Sequence, residues 1–323
     1  MSWMITGGAG YIGAHVVRAM RAAGQSVVVY DDLSTGDAAR LPDGVPLVTA
    51  SVLDRARLDA ALAEHRVRGV VHIAAKKQVG ESVERPLLYY RENVTGLQTL
   101  LGAMVDAGTE RLVFSSSAAV YGMPDVETVT EDTPCAPMSP YGETKLAGEW
   151  LVRAAARAHG LRVASLRYFN VAGAATPELG DPGAYNLVPM VLERIEAGLP
   201  PLVFGDDYPT EDGTCVRDYI HVSDIADAHL AAAEHLETAP AATELTLNIG
   251  RGEGVSVREM IDRLLAATGR TDLHPETVER RPGDPARIVA SADRIRAELG
   301  WSAAHDVDQM ITSAVAGRRH THG

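Results

Sequence analysis

Three side chains of this 323-residue sequence could together move a proton. In "SPYGETK" (139–145), Tyr141 and Lys145 stand one helical turn apart, so i,i+4 spacing puts a phenol and an ammonium on one helix face. Ser117 lies upstream in "VFSSSAAVYG", at the end of an apolar run. Alone, Tyr-x-x-x-Lys after Pro140 is an ordinary helix start. It becomes chemistry only if the phenol can ionise. A free phenol titrates near 10, so a base working near pH 7 must be favoured by about 4 kcal/mol. A lysine charge ~5 Å away, at an effective dielectric near 20, contributes on the order of 3 kcal/mol. Lys145 is thus assigned most of the shift, and a second positive charge must supply the rest.

The N-terminal segment offers a way to bring that charge in. "ITGGAGYIGAHVV" (5–17) spaces Gly7, Gly10 and Gly13 evenly between an apolar run and a helical pattern. Glycines there allow a tight turn and let backbone N–H groups approach a pyrophosphate at the helix N-terminus. Asp31 and Asp32 end the next apolar run, about twenty residues on, where the ribose hydroxyls of a dinucleotide lie. Carboxylates accept from a 2′-OH and repel a 2′-phosphate, so the expected cofactor is NAD. Its cationic nicotinamide would complete the field at Tyr141, with Ser117 holding the substrate hydroxyl.

These residues need a frame. Short β-branched or apolar runs, at 3–6, 26–32, 45–51, 69–75, 111–117 and 162–170, alternate with helical patterns at 11–23, 54–65, 84–107 and 143–159. Such alternation predicts an α/β fold, a Rossmann-type doubly wound parallel sheet with helices on both faces. Ser117 then lies at the C-terminal sheet edge, where such folds bind ligands. After Asn170 the rhythm breaks into Gly-, Pro- and Asp-dense segments (173–186 and 205–219). The expected division is an NAD-binding unit over 1–172 and a smaller α/β substrate-binding unit mainly over 173–323. The stretch 217–236 reads as a strand and helix, and about 216–250 is expected to return to the first unit.

Thirty Lys+Arg against 43 Asp+Glu give a net charge of −13, which argues against nucleic acid or anionic membrane as partner. An anionic substrate would need locally placed arginines. Cys135 and Cys215 have neither metal-ligand nor disulfide spacing, so no metal is expected. No apolar run approaches the ~20 residues of a membrane span, and the N-terminus has no secretory pattern. The expected location is the cytoplasm.

"TGGAGYIG", "SSSAAVYG" and "SPYGETK", in this order, resemble the extended short-chain dehydrogenase/reductase family. "VGESVERPLLYYRENV" (79–94), "LRYFNVAGA" (166–174) and "FGDDYPTEDGTCVRDYIHVSDIADAH" (204–229) are similar, more narrowly, to its UDP-glucose (UDP-galactose) 4-epimerase branch. The resemblance implies that Tyr141 is the base, Lys145 its tuner and Ser117 the group that orients the sugar. It implies cofactor contacts at Gly7, Gly10, Tyr11, Ile12 and Gly13; at Asp31, Asp32, Leu33, Ser34, Thr35 and Gly36; and at Ser51 and Val52. Further contacts are implied at Ile73, Ala74, Ala75, Lys77, Asn93, Ser115 and Phe169. For uridine diphosphate it implies Asn170, Asn186, Leu187, Leu202, Val203, Phe204, Arg217, Tyr219, Arg281 and Asp284, with the two arginines as guanidinium clamps.

The implied activity is C4′ epimerisation of UDP-galactose and UDP-glucose through a 4-keto sugar, with NAD retained. A homodimer through helices about 84–107 and 143–159 is implied as well. The chain departs from the family pattern at Ala50-Ser51, in place of Gly-Asp near the adenine, and at Ala74-Ala75, in place of Ala-Gly. Ile288 takes the position that closes the sugar pocket. It lies between the aromatic that goes with plain sugars and the small residue that goes with N-acetyl sugars, so UDP-hexosamines stay open. The alternatives are a 4-epimerase of a UDP-pentose or UDP-uronate and a non-catalytic dinucleotide sensor. A 4,6-dehydratase needs an acid/base pair where this chain has Ala118-Ala119.

Overall fold

Strands buried along most of their length on both faces, such as SWMIT, SVVVYD and RLVFSSS, are what a helix-covered parallel sheet requires. A computed structural model describes residues 2–183, 185–281 and 283–322. Its strands are β1 (Ser2–Thr6), β2 (Ser26–Asp31), β3 (Leu47–Thr49), β4 (Val67–His72), β5 (Arg111–Ser117), β6 (Arg162–Tyr168) and β7 (Asn170–Ala172), followed by β8 (Leu202–Phe204), β9 (Val216–His221), β10 (Glu244–Ile249), β11 (Gly254–Ser256), β12 (Glu276–Val278) and β13 (Arg287–Ile288). Seven of them make one sheet in the order β10-β6-β5-β4-β1-β2-β3, with every pairing parallel. The order reverses between β1 and β4, which opens a crevice at the C-terminal edge.

Period-two alternation sorts the strand side chains into two cores. Trp3, Ile5 and Val29 pack with helices Tyr11–Ala22 and Val222–Thr238 through Val17, Met20, Ile225 and Leu236. Met4, Val28 and Val70 pack on the other face with helices Arg55–Glu64, Gly96–Ala107 and Pro140–His159, through Leu58, Leu100 and Val152. A third core joins helices Leu187–Glu196, Val257–Thr268 and Val307–His322 to Ala172, Tyr219 and Val255. There β9 pairs with β7, β11 and β13.

The strand expected at the start of 217–236 does not join the large sheet. Only its helix returns, because Ile225, Ala228, Ala232 and Leu236 form one apolar stripe against that sheet, and the added edge strand is β10. Residues 292–301 return as well, burying Ile295 and Trp301 in the first core. The helical stretch 84–107 is also broken into Val79–Glu84, Pro86–Tyr89, a π-helical turn Tyr90–Thr95 and Gly96–Ala107. Pro86 disfavours the helical conformation at the residue before it, and Arg85 sits at φ −131°, ψ 55°. Among the described residues no helix is long and apolar enough to cross a membrane.

Candidate active site

The glycine loop joins β1 to helix Tyr11–Ala22 under close backbone contact. A Cβ on Gly13 would lie 2.0 Å from the Gly7 carbonyl oxygen, and one on Gly7, at φ +72°, would lie 2.6 Å from the Ala74 nitrogen. No side chain caps the helix at Gly10, which leaves first-turn amides to a ligand. The Asp31 carboxylate accepts from Ala9 N at 2.9 Å and Leu33 N at 2.8 Å, tying the end of β2 to the loop. Asp32 is exposed beside it. A bare-backbone cradle at a helix N-terminus, with two carboxylates at the ribose position, fits a dinucleotide without a 2′-phosphate.

From this loop a cleft of about 1090 Å³ runs along the sheet edge past Ser117, Tyr141 and Lys145 to Arg217 and Ile288. Ser139 starts helix Pro140–His159, its hydroxyl accepting from Gly142 N at 3.2 Å. That start aims Tyr141 and Lys145 inward, and both are buried. Lys145 Nζ donates to the Ser115 carbonyl at 2.8 Å and lies 5.9 Å from the centre of the Tyr141 ring. Burial lowers Lys145 to about 8, with the Glu149 carboxylate pulling the other way. Burial also raises the Tyr141 phenol, against a hydrogen bond with Ser117. Of these two effects on Tyr141, desolvation of the phenolate outweighs the Ser117 hydrogen bond.

A second compartment, of about 200 Å³, shares Asn170, Tyr185, Asn186, Arg217 and Asp284 with the cleft. Helix Leu187–Glu196 starts there with no side-chain cap at Asn186, again leaving amides to an anion. Arg217 pairs with Asp284 at 2.5 Å, and the Arg281 guanidinium stacks 3.8 Å from the centre of the Phe204 ring. Leu187, Leu202, Val203 and Tyr219 complete the wall.

The loop residues Gly7, Gly10, Tyr11, Ile12 and Gly13 line the cleft, as do Asp31, Asp32, Ser34, Thr35 and Gly36. Ser51, Val52, Ile73, Ala74, Ala75, Lys77 and Phe169 line it too. Leu33, Asn93 and Ser115 do not, because their polar groups are engaged elsewhere. Leu33 N serves Asp31. Asn93 bonds both Lys76 backbone groups and Thr144, and Ser115 Oγ is 2.8 Å from His229 Nε2. The sequence reading missed Tyr30, whose hydroxyl donates to the Ser51 carbonyl at 3.1 Å, and Tyr185 at the junction of the compartments. An aromatic in the Gly/Pro-rich segment 173–186 was the available signal for Tyr185. Among the described residues no group of three His, Cys, Asp or Glu could hold a metal.

Comparison with known proteins agrees with this geometry. The profile of the NAD dependent epimerase/dehydratase family matches residues 3–250. The UDP-glucose 4-epimerase of Azospirillum brasilense is 47% identical over 98% of this chain and 91% of its own length. The structure of a Stenotrophomonas maltophila UDP-glucose-4-epimerase with bound NAD and formylated UDP-arabinopyranose superposes with a TM-score of 0.95 at 41% identity, covering 100% of this chain and 99% of that one. A Brucella ovis UDP-glucose 4-epimerase in complex with NAD gives a TM-score of 0.93 at 40% identity, covering 98% of both chains. With the glycine cradle, the Tyr141–Lys145 turn and near-complete coverage in agreement, the chain belongs to the NAD dependent epimerase/dehydratase family, in its UDP-glucose 4-epimerase branch.

Proposed function

We propose that the protein interconverts UDP-galactose and UDP-glucose by NAD-dependent epimerisation at C4′. One observation carries the reading: the cleft that holds the glycine cradle and the Ser117–Tyr141–Lys145 cluster adjoins the arginine-lined compartment, the two sharing Asn170, Tyr185, Asn186, Arg217 and Asp284 as walls. NAD held by the glycine cradle and the Asp31–Asp32 end of β2 would supply a hydride acceptor, and afterwards a hydride donor, for C4′. Tyr141 accepts the 4′-OH proton as that hydride leaves, giving the 4-keto sugar, and gives the proton back on return. Ser117 orients the hydroxyl. Arg217 and Arg281 hold the diphosphate, while Ala118, Ala119 and Gly122 beside the sugar end leave the ring free to turn. Strong contacts around the hexose would lock one face instead.

The cofactor-holding unit is read as 1–172 with the helix Val222–Thr238, β10 and residues 292–301, and the substrate-gripping unit as the rest of 173–323. Val83, Leu87 and Trp150, exposed on helices that pack together, support a homodimer through this face. The acidic balance and two unpaired cysteines support the cytoplasm. Separate assays with UDP-galactose and UDP-N-acetylgalactosamine test the activity: formation of UDP-glucose from the first is expected, and no 4′-epimer from either would overturn the reading.

A further inference from the structure

Behind the proton-transfer cluster lies a buried ion pair that the chemistry above does not use. Glu149 and Arg167 are 0% and 4% exposed. Glu149 lies one turn beyond Lys145 on helix Pro140–His159, and Arg167 lies on β6 in register with Ser116 of β5. The guanidinium grips the carboxylate with two nitrogens, at 2.6 and 2.8 Å. Ser116 Oγ donates to the same carboxylate at 2.5 Å. Arg167 also donates to Tyr121 OH at 2.8 Å, and Tyr121 donates to Asn248 Oδ1 at 2.7 Å. The flanking residues of Ser116 are Ser115, whose carbonyl holds Lys145, and Ser117.

Burying such a pair costs desolvation, and apolar residues of similar volume often give equal or greater stability. The same helix buries Val152 and Ala156 against the same sheet face, so an apolar solution was available here. We propose that Glu149–Arg167 is a positioning device for the reaction proposed above: it fixes the helix carrying Tyr141 and Lys145 onto the strand carrying Ser117, and keeps an anion one turn from the Lys145 ammonium.

The surroundings of Lys145 make that anion count. From its own helix Tyr141 and Glu149 face it, and from β5 the Phe114 ring, 5.4 Å away, and the Ser115 carbonyl. His72 on β4 stacks on Phe114, and burial lowers it to about 3. His229, behind Ser115, is lowered to about 4. Tyr168 on β6 is a phenol raised by burial, and Arg167 is paired to Glu149. Of these groups Glu149 carries the negative charge. Its carboxylate offsets the burial that lowers Lys145 to about 8.

Two variants test the role: Glu149→Gln, and the double substitution Glu149→Met with Arg167→Met, which removes both charges together. Each is assayed with UDP-galactose across pH, alongside measurement of bound NAD and of folding. Activity of the unsubstituted protein in that assay tests the proposed reaction separately. The expected result is a folded variant with NAD retained and KM within about twofold of the unsubstituted protein, since the diphosphate clamps lie on other elements. Its kcat at pH 8 falls roughly tenfold, with the alkaline limb moved down by about one pH unit, the effect expected for loss of a nearby opposite charge. An unmoved limb, a KM rise matching the kcat loss, or collapse of both variants would assign the pair to the core alone and overturn the proposal.

Discussion

Tyr141 is held protonated by its own surroundings, because burial raises the phenol more than Ser117 lowers it. Tyr141→Phe should therefore keep the fold and bound NAD while kcat falls by about 10²–10⁴, the usual worth of a general base; NAD content and turnover check this. Arg217 sits in the outer compartment, paired with Asp284. Arg217→Ala should raise KM for UDP-sugars by at least roughly tenfold, as loss of a charge-assisted contact predicts, with kcat little changed. The Tyr141–Lys145 pair was legible in the sequence because i,i+4 spacing fixes a shared face. The direction of the phenol's titration was not, since it depends on how deeply the fold buries Tyr141, which local spacing does not state. Asn93 and Ser115 show the same limit. Their partners, Thr144 and His229, lie on other elements, so no local pattern reveals that they brace the wall.

Among the elements, the strand–loop–helix unit at Gly7–Gly13 was the most legible, since backbone approach at Gly7 and Gly13 leaves no room for a Cβ. Gly13→Ala would set a Cβ 2.0 Å from the Gly7 carbonyl oxygen. The loop must then shift, and cofactor retention should fall, as expected when a preorganised phosphate cradle is lost; equilibrium binding of NAD measures it. The break at Pro86 and the π-helical turn Tyr90–Thr95 were less legible, because apolar periodicity continues across both. That turn places Asn93 against Lys76 and Thr144, joining the cleft wall to the catalytic helix. Strand β9 was misjudged for a related reason. Its six residues form a largely buried strand, but a local strand pattern carries no information on which sheet it joins.

For the whole molecule, one feature ties its segments together and a second faces outward. Asp218, on β9, is buried and accepts from Arg251 N and Gly252 N at 2.9 Å and from Ala290 N at 3.2 Å, pinning three segments around the outer compartment. Burial raises its carboxyl from 3.8 to about 6. The folded state then binds this proton more tightly than the unfolded chain does. Its contribution to stability is fully present below about pH 4 and is lost as pH rises through about 6, an effect of about 3 kcal/mol. The difference in unfolding free energy between the unsubstituted protein and Asp218→Asn should change by about that amount over this window and stay flat above it. The second feature is the exposed apolar face, where Leu87 is 84% accessible. If two copies meet there, Leu87→Asp should yield monomers by light scattering, while the unsubstituted protein runs as a dimer. The raised Tyr141 phenol has one more consequence, a stoichiometric one. Loading the folded chain with NAD should expel a proton above neutral pH, since a nicotinamide cation beside Tyr141 would favour the phenolate that burial disfavours. Calorimetry in buffers of different ionisation heat would count that proton, and Tyr141→Phe should erase it. The protein's affinity for its cofactor would thus rise with pH.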